Sequence, residues 1–419
     1  MTDLVCVENM VDLITDKAST EKDVNQPYIG LEHIESGTGK IIGYIRAGDS
    51  KSTNGTFLCN DILFGKLRPR LRKCCMAPFD GYCSTDILIL RAKENIAPSF
   101  AYRAISSENV FSYAIRFEEG TKMPRTSWRN LAGASVWCPQ IKEQQTIATI
   151  LDSVDESIRW TEAVIAKLKL VKEGMLHDLL SRGIDENGDL RDPVAYPEQF
   201  KDSPLGRVPR EWETKTLGTL CSHIGSGVTP RGGQDVYTKK GILFIRSQNV
   251  TFEGLKLGDI AYIPLCIYLG MLRSEVFAHD VLFNITGASI GRCCAMPDGM
   301  GQANVNQHVC ILRVPEATEA DAIFLSTVLG STIGQKQLDA LNTCGNRQGL
   351  NYQQLGSFIV PWPEVGERHL IAEYVKKATI HLNRENDEVN KLRLLKSGLQ
   401  DDLLTGRVRV PKKFLEVMP

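Results

Sequence analysis

Residues 139–181 read PQIKEQQTIATILDSVDESIRWTEAVIAKLKLVKEGMLHDLLS, and residues 363–405 read PEVGERHLIAEYVKKATIHLNRENDEVNKLRLLKSGLQDDLLT. The two stretches align without a gap at an offset of 224. Pro139/Pro363, Glu143/Glu367, Ile147/Ile371, Ala148/Ala372, Leu168/Leu392, Gly174/Gly398 and Asp178-Leu179-Leu180 against Asp402-Leu403-Leu404 are among the identities. In the first copy Ile147, Leu151, Val154, Ile158, Thr161, Ile165, Leu168, Lys172, Met175 and Leu179 alternate steps of four and three. Ile371, Val375, Ala378, Leu382, Glu385, Val389, Leu392, Lys396, Leu399 and Leu403 repeat that phase in the second. A sustained period of 3.5 residues is a coiled-coil seam. Pro139 and Pro363 sit just before each helix start. Each helix would run ~50 Å at 1.5 Å per residue. A helical glycine costs about 1 kcal/mol relative to alanine, and its presence at 174 and 398 predicts close backbone approach between the two helices. The alternative is that each helix packs on its own globular unit.

The repeat extends upstream with small gaps. DILFGKLRPRLRKCCMAP (61–78) aligns with DVLFNITGASIGRCCAMP (280–297), YIGLEHI (28–34) with FIRSQNV (244–250), and STDILILR (84–91) with NQHVCILR (306–313). Several matches in one order point to a duplication: globular unit, helix, globular unit, helix. The globular units read as α+β and strand-rich. Strands are expected at LVCV (4–7), KIIGYI (40–45), DILIL (86–90), GILFIRS (241–247), DVLFNI (280–285) and HVCILRV (308–314), and helices near Pro98–Ser107 and Glu319–Leu329. The boundaries are 1–138 and 211–360 for the globular units, 139–182 and 361–407 for the helices, 408–419 for a tail, and 183–210 for a Pro- and Gly-rich connector.

The chain of 419 residues suits two or three domains. Apolar residues at 42% with 35 glycines support sizeable cores. Lys+Arg at 49 against Asp+Glu at 50 leaves a net charge of -1, so a nucleic-acid surface must be a local patch. No apolar run approaches a membrane span, and Asp3, Glu8 and Asp12 do not fit a signal peptide, so a cytoplasmic location is expected. The 12 cysteines, without a CxxC pair, read as buried thiols in a reducing compartment; Cys221 and His223 lack a second ligand pair at zinc spacing.

No phosphate loop, methyltransferase cofactor loop or hydrolytic motif is found; GTGK (37–40) reads as a hairpin turn, and SGVTPRGG (226–233) lacks a Lys-Ser/Thr ending. No catalytic or metal-binding residue is therefore assigned. What remains are basic and amide-bearing loops. GKLRPRLRK (65–73) carries Lys66, Arg68, Arg70, Arg72 and Lys73, and as a strand it would place the first four on one face for a polyanion to compensate. ITGASIGR (285–292) is its counterpart, with Thr286, Ser289 and Arg292. Thr229, Arg231, Arg246, Gln248, Asn249, Asn304, Asn306 and Gln307 join them, as do Lys122, Arg125 and Arg129 in GTKMPRTSWRN and Arg347 and Gln348 in NTCGNRQGLNYQQ. Arg, Asn and Gln are the side chains that address guanine and adenine edges bidentately. For any one of these residues the plain alternative is a solvated surface.

These features together resemble the specificity subunit of type I restriction-modification systems. The motifs are PQIKEQQTIA (139–148), LKLVKEGMLHDLL (168–180), DSPLGRVPREWE (202–213), NDILFGKLRP (60–69) and ITGASIG (285–291). Two departures stand out: Arg368 in PEVGERHLIA (363–372) replaces the usual Gln, and the first domain lacks the leader that carries Trp212 in the second. The resemblance implies two target-recognition domains separated by two long antiparallel helices in a pseudo-twofold arrangement. It further implies a non-catalytic subunit that binds double-stranded DNA at a bipartite, asymmetric site. Its partners would be two modification subunits, which use S-adenosylmethionine, and two restriction subunits, which use ATP and Mg. The other readings are an orphan recognition subunit of another phage-defence complex, a coiled-coil protein scaffold, and a self-sufficient methyltransferase or nuclease.

Overall fold

The computed structural model describes residues 4–18, 25–49, 54–342 and 349–415. The chain divides into two compact units, Met1–Glu162 with Asp387–Pro419, and Ala163–Asn386. Two helices, Ile141–Ser181 and Val365–Leu404, are each shared between the units. At 41 and 40 residues they begin earlier than the seam pattern marks.

Each unit repeats one sheet plan. In the first, an antiparallel sheet runs in the order Val11–Ile14, Ile87–Ala92, Ile62–Gly65, Cys74–Met76. The second has His223–Ser226, Val309–Arg313, Val281–Asn284, Cys293–Ala295 in the same order. Behind each lies a mixed sheet with one parallel pair, Pro27–Ile29 beside Gly81–Cys83 and Ile242–Ile245 beside Ala303–Val305. A short antiparallel pair then leads into each long helix: Leu4–Cys6 with Ser135–Trp137, and Glu213–Thr216 with Ile359–Trp362. The expected strand at 40–45 shrinks to a bridge at Ile41 and the pair Ile45–Arg46, where Ile42, Tyr44 and Ile45 are exposed. Only Ile41 packs on a core, and the other apolar side chains of the segment belong to none.

The DILF and DVLF matches have a structural cause. Asp61 is buried, accepts from the Leu58 amide and receives both Arg91 nitrogens at 2.8 Å. Asp280 does the same with the Phe277 amide and with Arg313 at 2.8 and 2.7 Å. A buried carboxylate is tolerable only when paired and hydrogen-bonded in this way.

All seam positions are buried or half-buried. In the first unit Asp155 pairs with Lys396 at 2.5 Å and Glu162 with Arg393 at 2.7 Å; in the second Lys172 donates to Thr379 at 2.9 Å. Rising numbers on one helix meet falling numbers on the other, so the helices run antiparallel in each unit. The helix ends do more than pair. Ile147 and Leu151 enter the first core together with Leu403 and Leu404, and Ile371 and Val375 enter the second with Leu179 and Leu180. The two packing alternatives are therefore both realised, at different heights of the same helices. The expected close approach at Gly174 and Gly398 is not: both are exposed, and a Cβ at either would meet nothing within 4 Å.

The connector is folded. Phe200–Ser203 and Gly206–Pro209 form a hairpin, and the chain at 183–191 docks on the start of the second long helix. Glu367 accepts from the Ile184 amide at 2.7 Å, from Arg191 at 2.6 Å and from the Trp212 indole at 2.9 Å. The residues after the second helix return the arrangement to the first: Glu143 accepts from the Val410 amide at 3.0 Å and from Arg409 at 2.7 Å. Gly183 and Gly406 make both turns at φ 66° and 70°, pressed against Trp212 and Trp137 respectively, where no Cβ fits. Trp137, over which Arg409 stacks at 5.2 Å, thus stands in the first unit where Trp212 stands in the second.

Among the described residues no helix is long and apolar enough to cross a membrane, and no His, Cys, Asp and Glu group could hold a metal ion. The described cysteines are free thiols. Burial pushes Cys75, Cys83, Cys221, Cys294 and Cys310 up to about 12, which keeps them protonated and unreactive.

Candidate nucleic-acid interface

In both units the chain leaving the central strand crosses two other loops in the same way. Lys66 donates its amide to the Asp86 carbonyl at 2.8 Å and accepts from the Thr126 amide at 2.9 Å. Ile285 donates to His308 at 3.0 Å and accepts from Leu350 at 2.8 Å. Beta bridges follow one residue on, Leu67 with Arg125 and Thr286 with Gly349. One backbone scaffold therefore presents two different sets of side chains.

On the first unit the set is charged. Residues 66–73 do not continue the strand, which ends at Gly65. Arg68 and Arg72 adopt φ 51° and 50°, on either side of a short helical turn at Pro69–Leu71. Pro69 cannot donate to a sheet ladder, so pairing stops there. The expected period-two face of four cations is thereby broken. Arg70 pairs with Glu118 at 2.7 Å, Arg72 with Glu108 at 2.5 Å, and Lys73 donates to the Leu31 carbonyl at 2.7 Å. The hydrogen bond from Arg72 holds the Glu108 carboxyl below its ordinary range. Arg125 lies 3.3 Å from Asp86. Lys66 is half-buried; Arg68, Lys122 and Arg129 are exposed and make no ion pair among the described residues.

On the second unit the corresponding surface is largely neutral. Thr286 and the His308 Nδ1 are 2.5 Å apart, His308 Nε2 accepts from the Gln307 amide at 3.1 Å, and the Thr229 hydroxyl donates to Gln307 Oε1. Ser226 and Tyr352 share a hydroxyl hydrogen bond at 2.5 Å beside them. Arg246 lies over the Tyr237 ring at 5.6 Å and donates to the Asp259 carbonyl at 2.7 Å, while Gln248 reaches the Asp259 carboxylate at 2.5 Å. Arg231 and Arg292 are exposed, and Ser289 is half-buried.

Three expected surface amides are internal. Asn249 accepts from the Arg246 amide and donates to the Lys256 and Asp259 carbonyls. Asn304 is fully buried between Ser274, Met271 and Val305. Asn306 is buried and accepts from the His308 amide. Each is spent on hydrogen bonds to neighbouring backbone groups inside the domain. Arg347 and Gln348 lie outside the described residues. His308, Ser226 and Tyr352 were not legible as site residues, because only the fold brings positions 226, 286, 308 and 352 together.

Two copies of a strand-rich domain, each presenting a polar loop crossing and each rooted on the paired long helices, define a duplicated α+β protein. Residues 7–170 match the family described as type I restriction modification DNA specificity domain. The MjaVIII specificity subunit of Methanocaldococcus jannaschii is 23% identical over 296 residues, 70% of this chain and 66% of that one. The putative MjaX specificity subunit of the same organism is 23% identical over 368 residues, 84% of this chain and 79% of that one. The type I restriction-modification S subunit of M. genitalium shares the fold with a TM-score of 0.59 at 14% identity, over 96% of this chain and 95% of that one. Residues 7–170 thus carry a type I restriction modification DNA specificity domain, and most of the chain is similar to type I restriction enzyme specificity subunits.

Proposed function

We propose that this chain selects the DNA sequence for a type I restriction-modification complex and performs no catalysis itself. Each unit reads one half of a bipartite, asymmetric site on double-stranded DNA, and the length of the helices sets the gap. Two modification subunits supply S-adenosylmethionine chemistry, and two restriction subunits supply ATP- and Mg-dependent translocation and cleavage, in the cytoplasm. The observation that carries this reading is the repeated loop crossing with unlike side chains: one scaffold, two chemistries, hence two different half-sites. Arg68, Lys122 and Arg129 suit phosphates, whose contacts orient a protein on the duplex. The hydroxyls and amides of the second unit suit base edges.

Exchanging residues 211–360 for those of a related subunit, followed by methylome sequencing of the host, tests it. One half of the methylated motif should change and the other should stay. A change in both halves, or a continuous target word, would overturn the two-reader arrangement. Methyl transfer to DNA by the purified chain alone would overturn the non-catalytic assignment.

A further inference from the structure

Gln307 lies in the turn between Ala303–Val305 and Val309–Arg313 and is exposed, yet both ends of its amide are held. Thr229 donates to Oε1, and Nε2 donates to His308 Nε2 at 3.1 Å. An amide nitrogen can only donate, so His308 Nε2 accepts and the ring proton sits on Nδ1, where it is given to Thr286 at 2.5 Å. Thr286 is in turn bridged to Gly349. The amide plane is thus held by Thr229 directly and, through His308, by Thr286 before any ligand arrives.

A glutamine amide has two acceptor sites on its oxygen and two N–H groups. One of each is used internally. One acceptor and one donor remain on the amide, the complement of the adenine major-groove edge, where N6 donates and N7 accepts. We propose that Gln307 reads an adenine in the half-site bound by the second unit, with Thr229 and His308 as positioning residues that fix the amide plane. This rests on the DNA-recognition reading above. The first unit has no equivalent: the corresponding positions are Thr85 and Asp86, and Asp86 is engaged by Arg125. The adenine read is not the methylated one, because a base undergoing chemistry leaves the stack.

The test uses the complete complex in its host, with the second half-site identified by the exchange of residues 211–360. Gln307→Ala should turn one A·T position of that half-site degenerate, lowering discrimination there about 5- to 150-fold, and leave the other half intact. Gln307→Glu presents acceptors only and should move the preference at that position toward C·G, whose cytosine N4 donates. His308→Phe should relax the same position, and His308→Gln, which restores an acceptor, should recover it. The proposal fails if Gln307→Ala leaves every position unchanged, if the relaxed pair is G·C, or if it lies in the other half-site. Deletion of the whole chain without effect on the methylome is a different result, and it removes the DNA-recognition reading itself.

Discussion

Positions 144 and 368 are the same place in the two long helices, separated by the offset of 224, and each reaches the N-terminus of a helix of its own domain, at Ala97 and at Asp321. In the first unit Gln144 accepts from the Ala97 amide at 2.9 Å and donates to the Pro139 carbonyl at 2.8 Å. In the second, Arg368 donates to the Pro363 carbonyl at 2.5 Å and to Asp321 at 2.6 Å. The departure at Arg368 is therefore balanced: an acceptor became a donor, and its partner became a carboxylate. Burial pushes the Asp321 carboxyl up, but hydrogen bonds from Thr318 and Arg368 outweigh it and hold it below its ordinary range. The helix–domain joint tolerates either solution because both satisfy the same buried groups. The loop crossing differs in another way. Its side chains face outward, so they are free to become charged in one copy and neutral in the other.

The joint offers the largest test of that contrast. Arg368→Gln leaves Asp321 buried without its cation and should cost about 3–5 kcal/mol in urea unfolding of the full chain. Arg368→Gln with Asp321→Ala removes both buried charges together and should recover most of that loss. If the double variant is as unstable as the single one, the loss does not come from the unpaired Asp321 charge.

The acceptors at the helix starts come next. Glu367→Gln weakens three hydrogen bonds at once, to a backbone amide, an arginine and a buried indole. It should cost about 1.5–3 kcal/mol. Glu143→Gln, whose arginine partner is mostly exposed, should cost less. Equal losses would show that the two joints carry the same load.

At the surface, Arg68→Ala, Lys122→Ala and Arg129→Ala should each lower the salt slope of DNA binding by the assembled complex by about one unit, across all sequences. Thr229→Val or Thr286→Val should leave the slope unchanged and alter the second half-site only. A reversed pattern would exchange the roles assigned to the two faces.

The smallest effect is in acid. Arg409 holds the Glu143 carboxyl below its ordinary range, helped by the Val410 amide and opposed by burial. A carboxyl lowered by folding contributes fully above its unfolded value and loses that contribution as pH falls through the folded one. Thermal melts should show the parent losing more stability than Glu143→Gln below pH ~4.3, with no difference in that loss near neutrality.

The seam was legible because a coiled coil writes its contacts at a fixed period, and each seam position between Ile147 and Leu179 and between Ile371 and Leu403 is buried or half-buried. The duplication was legible for a similar reason: Asp61 with Arg91 and Asp280 with Arg313 are spaced by the sheet itself. Gly174 and Gly398 misled, since identity between copies carries no direction and both glycines face solvent. At the candidate interface, composition picked out polar loops but not which of their side chains stay exposed. Arg70 and Arg72 are neutralised by Glu118 and Glu108, 48 and 36 residues away. Asn249 and Asn304 point inward, and the chain Thr229–Gln307–His308–Thr286 joins residues up to 79 positions apart. Periodicity and repetition are local properties of the chain, so sequence alone determined two domains of one fold and two helices of one phase. Which polar side chain is spent inside the domain and which stays free depends on partners distant in sequence, and only the tertiary structure decided that.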